Sequence, residues 1–243
     1  METLTTTIRQ NFETVNENVR RAAVSAGRDA NAVRLVVVTK AQPVEVIRAV
    51  IAAGARILGE NYPEETLPKI QAIGQVENLE WHMIGHLQSR KAGFVAGHFD
   101  LLQSLDSLRL AEKLERLMAE QERFLPVLLE FNVSGEESKF GWKGWDENQW
   151  DALRGEVEQL LALPHLRVRG LMTMPPLYDN PEQTRPYFAR LRQLSDFLAR
   201  KYGEEHFHEL SMGTSADYAA AVQEGATFVR VGTAIVGPRP QRV

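Results

Sequence analysis

The run LVVVTK at residues 35–40 decides the fold class, because it predicts a short buried β-strand that ends in a lysine. Alternation along a strand places Val36, Val38 and Lys40 on one face. An ammonium group at the apolar mouth of a strand loses part of its hydration. We therefore expect the pKa of Lys40 to be lowered and its free amine to be available to a carbonyl group. A lysine that merely extends from a strand end into solvent is the simpler interpretation, and position alone favours it.

The composition is that of a soluble globular protein and excludes several classes of function. The chain has 243 residues, of which 44% are hydrophobic and 25% are charged. A net charge of -4 argues against a basic nucleic-acid surface, and no apolar stretch approaches the ~20 residues that span a bilayer. The absence of cysteine excludes disulfides and thiolate sites, and no His/Asp/Glu spacing is typical of a metal site. The first residues lack the features of a secretory signal, so we expect a cytoplasmic protein.

Eight strand-like segments alternate with amphipathic helical patterns along the chain. After the strand at Arg34–Lys40, the other seven are predicted at Arg56–Gly59, Trp81–Gly85, Asp100–Ser104, Pro126–Asn132, Arg167–Thr173, Phe207–Ser211 and Thr227–Thr233. An amphipathic helix that ends at Gly27 precedes them, and Asp106 is expected to cap a later helix. Eight βα units in a chain of this size predict a single (β/α)8 TIM-type barrel domain over residues 1–243, with an extra N-terminal helix. A doubly wound open sheet is the alternative.

Two segments rich in small residues follow the last two predicted strands, where barrels of this kind often bind phosphate. They are SMGTS at residues 211–215 and VGTA at residues 231–234. Small residues let backbone N–H groups approach an anion, and the hydroxyl groups add further donors. Alone, Ser215 is equally typical of a helix N-cap and Gly232 of a turn. Together, the two segments favour a phosphate site.

Arg230 shares the strand face of Gly232 and lies opposite two valines, which directs it into the barrel if the valines contact the helices. A buried guanidinium needs a partner, and either a structural carboxylate or a heteroaromatic nitrogen of a ligand would serve. Lys40, the anion loops and Arg230 match the three groups of pyridoxal 5′-phosphate: its aldehyde, its phosphate and its ring nitrogen.

The motif WHMIGHLQSRK at residues 81–91 is similar to a signature of the pyridoxal phosphate homeostasis proteins (the YggS/PROSC type). The resemblance continues in chain order through VVTK at 37–40, GENY at 59–62, NVSGEESK at 132–139, SMG at 211–213, VRVGT at 229–233 and GPR at 237–239. It covers nearly the whole chain. It implies a barrel like the N-terminal domain of alanine racemase, with pyridoxal phosphate held as a Schiff base on Lys40.

The same resemblance implies the other site residues. Arg230 would face the pyridine nitrogen, and Asn61 and His86 occupy motif positions near the pocket. Four residues would surround the phosphate, namely Ser211, Gly213, Gly232 and Thr233. Thr214 stands where many relatives carry methionine, which affects only the detail of the phosphate loop.

The predicted site favours a carrier over an enzyme. An arginine, with a pKa above ~12, does not protonate the pyridine nitrogen, so the cofactor would be a poor electron sink. The sequence ends soon after the last predicted strand, so we expect no second domain like that of alanine racemases, and AQP at 41–43 lacks the tyrosine and histidine associated with those enzymes. We therefore expect intracellular buffering or delivery of the cofactor by a monomer, with apo pyridoxal phosphate enzymes as candidate recipients. The alternatives are a slow one-base racemase and a Schiff-base aldolase that binds a sugar phosphate; the 81–91 motif and Arg230 argue against the aldolase.

Overall fold

Parallel strands form a closed barrel in this protein, whose structure is a computed structural model that describes residues 2–238. The strands are β1 Arg34–Val38, β2 Ile57–Glu60, β3 Glu80–Met83, β4 Leu101–Leu105, β5 Leu125–Asn132, β6 Trp142–Lys143, β7 Leu166–Met172, β8 Glu209–Ser211 and β9 Phe228–Val231. Met1 and residues 239–243, including Arg239 of the GPR motif, lie outside the described range.

The pairing of the strands confirms the predicted (β/α)8 barrel. Their order is β4-β3-β2-β1-β9-β8-β7-β5, and β4 also pairs with β5, which closes the sheet. That closing contact excludes the doubly wound open sheet. The two-residue strand β6, which the sequence did not predict, pairs only with the end of β5. All eight predicted strands are present, and β1 ends at Val38, two residues before Lys40.

Helices surround the barrel, as the amphipathic patterns predicted. They are α1 Glu2–Ser25, α2 Val44–Ala52, α3 Pro63–Ile73, α4 Ala92–Val95, α5 Leu108–Glu120, α6 Arg154–Leu161, α7 Arg185–Tyr202, α8 Tyr218–Gln223 and α9 Thr233–Val236. The extra helix α1 packs against α2, α8 and α9. Asp106 does not cap α5, because Ser107 occupies the N-cap position and makes no capping bond; the Asp106 carboxylate contacts His86 instead. Within residues 2–238, no helix has the length and apolar character needed to cross a membrane.

The strands present alternate residues to the helices and to the barrel interior. Val37, Val229 and Val231 pack in the layer between the strands and the helices. The interior holds a separate apolar cluster of Val36, Leu101, Leu128, Met172 and Phe228. Arg230 lies on the interior face, as its position opposite the valines predicted. The barrel interior is therefore apolar in part and strongly polar where Arg230 lies.

Gly170 allows β7 and β8 to pair, and this gives a test of the fold. A Cβ atom on Gly170 would lie 1.9 Å from the carbonyl oxygen of Glu209, its partner in β8. We expect Gly170→Ala to push the two strands apart and to lower the free energy of unfolding by about 1–3 kcal/mol. Urea denaturation followed by circular dichroism measures this change.

Gly155→Ala is the matched control, because Gly155 lies in α6 and a Cβ atom there would contact nothing within 4 Å. This substitution should raise the free energy of unfolding by about 0.5–1 kcal/mol, since alanine is the better helix former. An equal effect of the two substitutions would contradict the proposed role of Gly170.

Candidate functional site

The residues predicted from the sequence gather at the end of the barrel where the strands terminate, which is where barrels of this class carry their sites. Lys40 follows β1, Asn61 follows β2, and His86 follows β3. Ser211 ends β8, and Arg230 lies in β9. The five strands are consecutive in the sheet, in the order β3-β2-β1-β9-β8. The structure therefore brings the predicted residues to one side of one barrel mouth.

The loop that starts at Gly232 lies directly against the end of β1. The register between β1 and β9 pairs Val37 with Val231, so Val38 lies beside Gly232. A Cβ atom on Gly232 would be 3.3 Å from the Cβ atom of Val38, a contact that favours glycine. Lys40, which is partly buried, thus lies at the same edge as the second predicted anion loop. Thr233 is exposed at the start of α9.

A buried ion pair holds the backbone just before Lys40. Lys69 Nζ lies 2.7 Å from Glu60 Oε1 and 3.2 Å from the carbonyl oxygen of Thr39. The hydroxyl of Thr39 also donates to Glu60 Oε1, at 2.8 Å. Burial raises the pKa of Glu60, while Lys69 and Thr39 act to lower it. The sequence analysis missed this group, although a glutamate on the helix-facing side of β2 was a signal that a buried partner must exist.

The guanidinium of Arg230 is buried inside the barrel and is held by neutral acceptors. It donates to Ser211 Oγ, to the carbonyl oxygen of Thr173 at 2.9 Å and to Met174 Sδ at 2.8 Å. Burial lowers the pKa of Arg230 to about 10, against the opposing effect of Glu130 and Asp217, so the group stays charged at neutral pH. Among residues 2–238, no carboxylate lies within ion-pair distance of it. The structural carboxylate considered from the sequence is therefore absent from the described part of the chain.

The hydroxyl of Ser211 contacts two side chains of the barrel interior. It accepts from Arg230 and donates its single proton to Gln103 Oε1, at 2.6 Å. In this arrangement the proton is not available to a phosphate. Ser215 is the hydroxyl that joins the two predicted anion loops, because its Oγ accepts from the backbone N–H of Gly232 at 3.2 Å.

Gly213 shapes the first of these loops through its backbone. Its φ is +90°, a region that favours glycine, and a Cβ atom would lie 2.5 Å from the Cβ atom of Ala221 in α8. The N–H and the hydroxyl of Thr214 both donate to Asp217 Oδ1, at 2.6 and 3.0 Å. The loop is therefore fixed by its own contacts, in which Thr214 pairs with Asp217.

Asn61 and His86 occupy different depths of the mouth. Asn61 Oδ1 is buried and has no hydrogen-bond partner among the described residues. His86 lies at the rim, where its ring stacks on Phe140 with centroids 3.8 Å apart. Its Nδ1 is 2.9 Å from Asp106 Oδ2. His86 thereby joins the loop after β3 to the loop after β5.

Glu130 is, after Glu60, another buried acidic residue that the sequence analysis missed. It follows Leu128 on the interior face of β5, is 7% exposed, and its Oε2 atom has no hydrogen-bond partner in the described structure. Burial, with a contribution from Asp106, raises the pKa of Glu130 to about 7, and Arg230 and Lys139 oppose this. The signal in the sequence was an acidic residue on the interior face of a strand.

Comparison with known proteins identifies the family. The sequence pattern of the alanine racemase N-terminal domain matches residues 10–240. The pyridoxal phosphate homeostasis protein of Aquifex aeolicus is 42% identical over 225 residues, which cover 93% of this chain and 95% of the relative. The protein of the same name from Escherichia coli is 38% identical over 235 residues, which cover 96% and 97%. This chain belongs to the pyridoxal phosphate homeostasis protein family.

Solved structures agree with this assignment. PipY of Synechococcus elongatus, solved with pyridoxal phosphate bound, is 36% identical with a TM-score of 0.77, covering 90% of this chain and all of PipY. A protein of Bifidobacterium adolescentis is 34% identical with a TM-score of 0.87, covering 97% and 96%. Alanine racemase of Clostridium difficile, at 16% identity and a TM-score of 0.73, shares the fold alone, and this chain covers 60% of it. The predicted family and the predicted barrel are confirmed.

The raised pKa of Glu130 predicts a pH-dependent contribution to stability. The folded protein binds the Glu130 proton more tightly than the unfolded chain does. The wild-type free energy of unfolding therefore falls as the pH rises from about 4.5 to about 7. Glu130→Gln lacks this penalty, so its stability relative to wild type should increase by on the order of 3 kcal/mol across that window. Urea denaturation of both proteins at pH 4 and pH 8 measures the difference.

Glu120→Gln, at an exposed position at the end of α5, is the matched control. Its stability relative to wild type should be the same at both pH values. A Glu130→Gln protein that behaves like this control would show that Glu130 titrates as an ordinary surface carboxylate.

Proposed function

We propose that this protein holds pyridoxal 5′-phosphate reversibly as a Schiff base on Lys40 and buffers or delivers the cofactor without appreciable catalysis. One observation carries the proposal: Lys40, two loops of small residues and a buried charged Arg230 lie at the same barrel mouth. The names of the relatives and the cofactor bound in PipY support it.

The residues of the mouth fit the chemistry of this cofactor. Bound pyridoxal phosphate supplies an electrophilic aldehyde, a phosphate, a ring hydroxyl and a basic ring nitrogen. Lys40 would provide the amine, and Arg230 a donor toward the ring nitrogen. The buried oxygen of Asn61, which has no hydrogen-bond partner among residues 2–238, would accept from the ring hydroxyl. His86, paired with Asp106 and stacked on Phe140, would border the entrance.

We assign phosphate binding to the two loops, with one change from the residues expected from the sequence. The hydroxyl of Thr233 and backbone N–H groups near Gly213 and Gly232 would be donors, other than the N–H groups of Thr214 and Gly232, which already donate to Asp217 and Ser215. We assign the second hydroxyl to Ser215 instead of Ser211, because Ser215 already lies against the N–H of Gly232. Ser211 would act on the cofactor indirectly, through Arg230.

The charge of Arg230 supports a carrier over a racemase. Even with its pKa lowered to about 10, the guanidinium stays protonated at neutral pH and can only donate a hydrogen bond. A ring nitrogen that accepts this bond stays unprotonated, and the ring then withdraws electrons weakly from a bound amine. A racemase also needs an acid–base group opposite its lysine. His86 is held at the rim by Asp106 and Phe140, which makes it a poor candidate for this acid–base role.

Apo pyridoxal phosphate enzymes are the proposed recipients of the cofactor. A monomeric state and the cytosol as the place of action also belong to this proposal, and they rest on the sequence alone.

The covalent attachment is tested with Lys40→Ala. Wild-type protein mixed with pyridoxal phosphate and reduced with borohydride should carry one cofactor mass on the peptide that contains Lys40. Lys40→Ala should carry none and should bind the cofactor at least about tenfold more weakly, a loss of ~1.4 kcal/mol or more. Peptide mass spectrometry and equilibrium dialysis measure the two effects.

Lys201→Ala is the control, because Lys201 is exposed on α7, where it pairs with Glu158. It should label like wild type. Pyridoxal without the phosphate should bind much more weakly than pyridoxal phosphate if the two loops hold the phosphate. Labelling spread over surface lysines, with none preferred, would rule out the proposed site.

Carrier and enzyme are separated by α-proton exchange. Protein loaded with cofactor is incubated with each L-amino acid in deuterium oxide, and loss of the α-proton is followed by NMR. We expect rates far below the ~1 s⁻¹ of slow enzymes, because a ring nitrogen that accepts from Arg230 would stay unprotonated and His86 is held at the rim by two partners. The same preparation should transfer cofactor to an apo-enzyme. Faster exchange with any amino acid, abolished by Lys40→Ala, would refute the carrier and establish a one-base racemase.

A further inference from the structure

A chain of hydrogen bonds crosses the barrel interior from Arg230 to Glu80. Arg230 donates to Ser211 Oγ, and this hydroxyl lies 2.6 Å from Gln103 Oε1. Gln103 Nε2 is 2.9 Å from His82 Nδ1, and His82 Nε2 is 2.9 Å from Glu80 Oε2. The three middle residues are buried. Glu80 begins β3, at the opposite end of the barrel from Lys40, and is half exposed.

Chemistry fixes the direction of every bond in this chain. A guanidinium only donates, so Ser211 Oγ must accept from Arg230 and give its one proton to Gln103 Oε1. The amide group of Gln103 then donates to His82 Nδ1, which must carry no proton. A neutral His82 holds its proton on Nε2 and donates it to Glu80.

The electrostatics of His82 agree with that direction. Burial lowers the pKa of His82, although Glu80 acts to raise it, so the ring is neutral at neutral pH. Besides Glu80, the charged groups that act on this ring are Asp100, just before β4, and Arg34, in β1. The hydrogen bond from His82 in turn lowers the pKa of Glu80. The chain thus begins at a cation, Arg230, which can only donate, and ends at a carboxylate, Glu80, which can only accept. Each hydrogen bond between them is donated in the direction of Glu80.

Gln103 is the link on which this order depends. Its amide oxygen can only accept a hydrogen bond and its NH2 group can only donate one. The Ser211 hydroxyl and the His82 ring nitrogens, by contrast, can each take either part. If the amide turned over, its NH2 group would face the Ser211 hydroxyl and its oxygen would face the unprotonated nitrogen of His82. Ser211 would then receive two donors and lose the acceptor for its own proton.

We propose that Gln103 is a positioning residue for Arg230: through Ser211 it holds the guanidinium toward the ring nitrogen of the bound cofactor, and it selects the Nε2–H form of His82. The contact with the ring nitrogen rests on the proposed function, whereas the state of His82 is a property of the protein without cofactor. The two parts are therefore tested separately.

The first test uses cofactor-free protein labelled with ¹⁵N in histidine. The His82 ring, assigned with His82→Asn, should show a proton on Nε2 and none on Nδ1 at neutral pH. Gln103→Met, which keeps the length of the side chain and removes both hydrogen bonds, should shift the Nδ1 resonance of His82. A proton on Nδ1 in the wild type, or an Nδ1 resonance unmoved in Gln103→Met, would overturn the proposed chain.

The second test compares pyridoxal phosphate with its 1-deaza analogue, which has carbon in place of the ring nitrogen. Gln103→Met should weaken binding of pyridoxal phosphate about 3- to 10-fold, the effect of one lost hydrogen bond. It should leave binding of the deaza analogue unchanged, because that ligand makes no bond to Arg230. A merely structural role of Gln103 would weaken both ligands equally, and that result would overturn the proposal.

Ser211→Ala interrupts the same chain between Gln103 and Arg230 and serves as the second variant if Gln103→Met folds poorly. It should likewise weaken binding of pyridoxal phosphate and leave binding of the deaza analogue unchanged. The variant that combines Ser211→Ala with Gln103→Met should lose little more affinity than either single variant. Equal losses for both ligands would instead place Ser211 at the phosphate and overturn the chain. Gln159→Met, on the exposed surface of α6, is the matched control and should change neither affinity.

Wild-type protein that binds neither ligand would refute the proposed function and, with it, the positioning role toward the cofactor. The NMR result would still decide the direction of the hydrogen bonds. A failure of the function and a failure of the chain are thus distinguishable.

Discussion

The interior of this barrel is organised around one buried charge, the guanidinium of Arg230. Removing such a charge from water costs several kcal/mol unless hydrogen bonds replace its hydration. Here the replacement comes from three neutral acceptors on Ser211, Thr173 and Met174. Neutral acceptors satisfy the N–H groups without cancelling the charge, so the positive field remains available at the barrel mouth. A paired carboxylate would have neutralised that field.

Several ionisable groups near this mouth are held in environments that oppose their charged forms. Burial raises the pKa of Glu130 and of Glu60, and it lowers the pKa of Arg230. Ionisable groups with shifted pKa values cluster at functional sites. Apolar side chains in the same positions would usually give a more stable protein. The exposed ion pairs on the helices, such as that between Arg21 and Glu17 in α1, add little to stability by comparison. The charged residues with the strongest electrostatic effect near the mouth are therefore the buried ones.

The sequence predicted those parts of the site that depend on a single strand and its alternation. The strand before Lys40, the inward direction of Arg230 and the loops after the last two strands all follow from local pattern. The partners of Ser211 and Glu60 do not follow in the same way. Gln103 lies on β4 and meets Ser211 of β8 across the barrel, 108 residues away in the chain. Alternation shows that both side chains face inward, but only the strand order and the tilt of the closed barrel decide which inward side chains meet. Lys69 reaches Glu60 from a helix, which no strand pattern records.

The order of donors and acceptors across the barrel also restricts what evolution can place at position 103. A replacement must accept a hydrogen bond from a hydroxyl at one end and donate one to an imidazole at the other. Histidine meets this requirement with its two ring nitrogens, and a protonated glutamic acid meets it with its two oxygens. Leucine, lysine and an ionised carboxylate do not. Among related proteins, we therefore expect the residue at this buried position to be one that can both accept and donate a hydrogen bond, even where its size and shape differ. Where it cannot do both, we expect accompanying changes at positions 82 and 211.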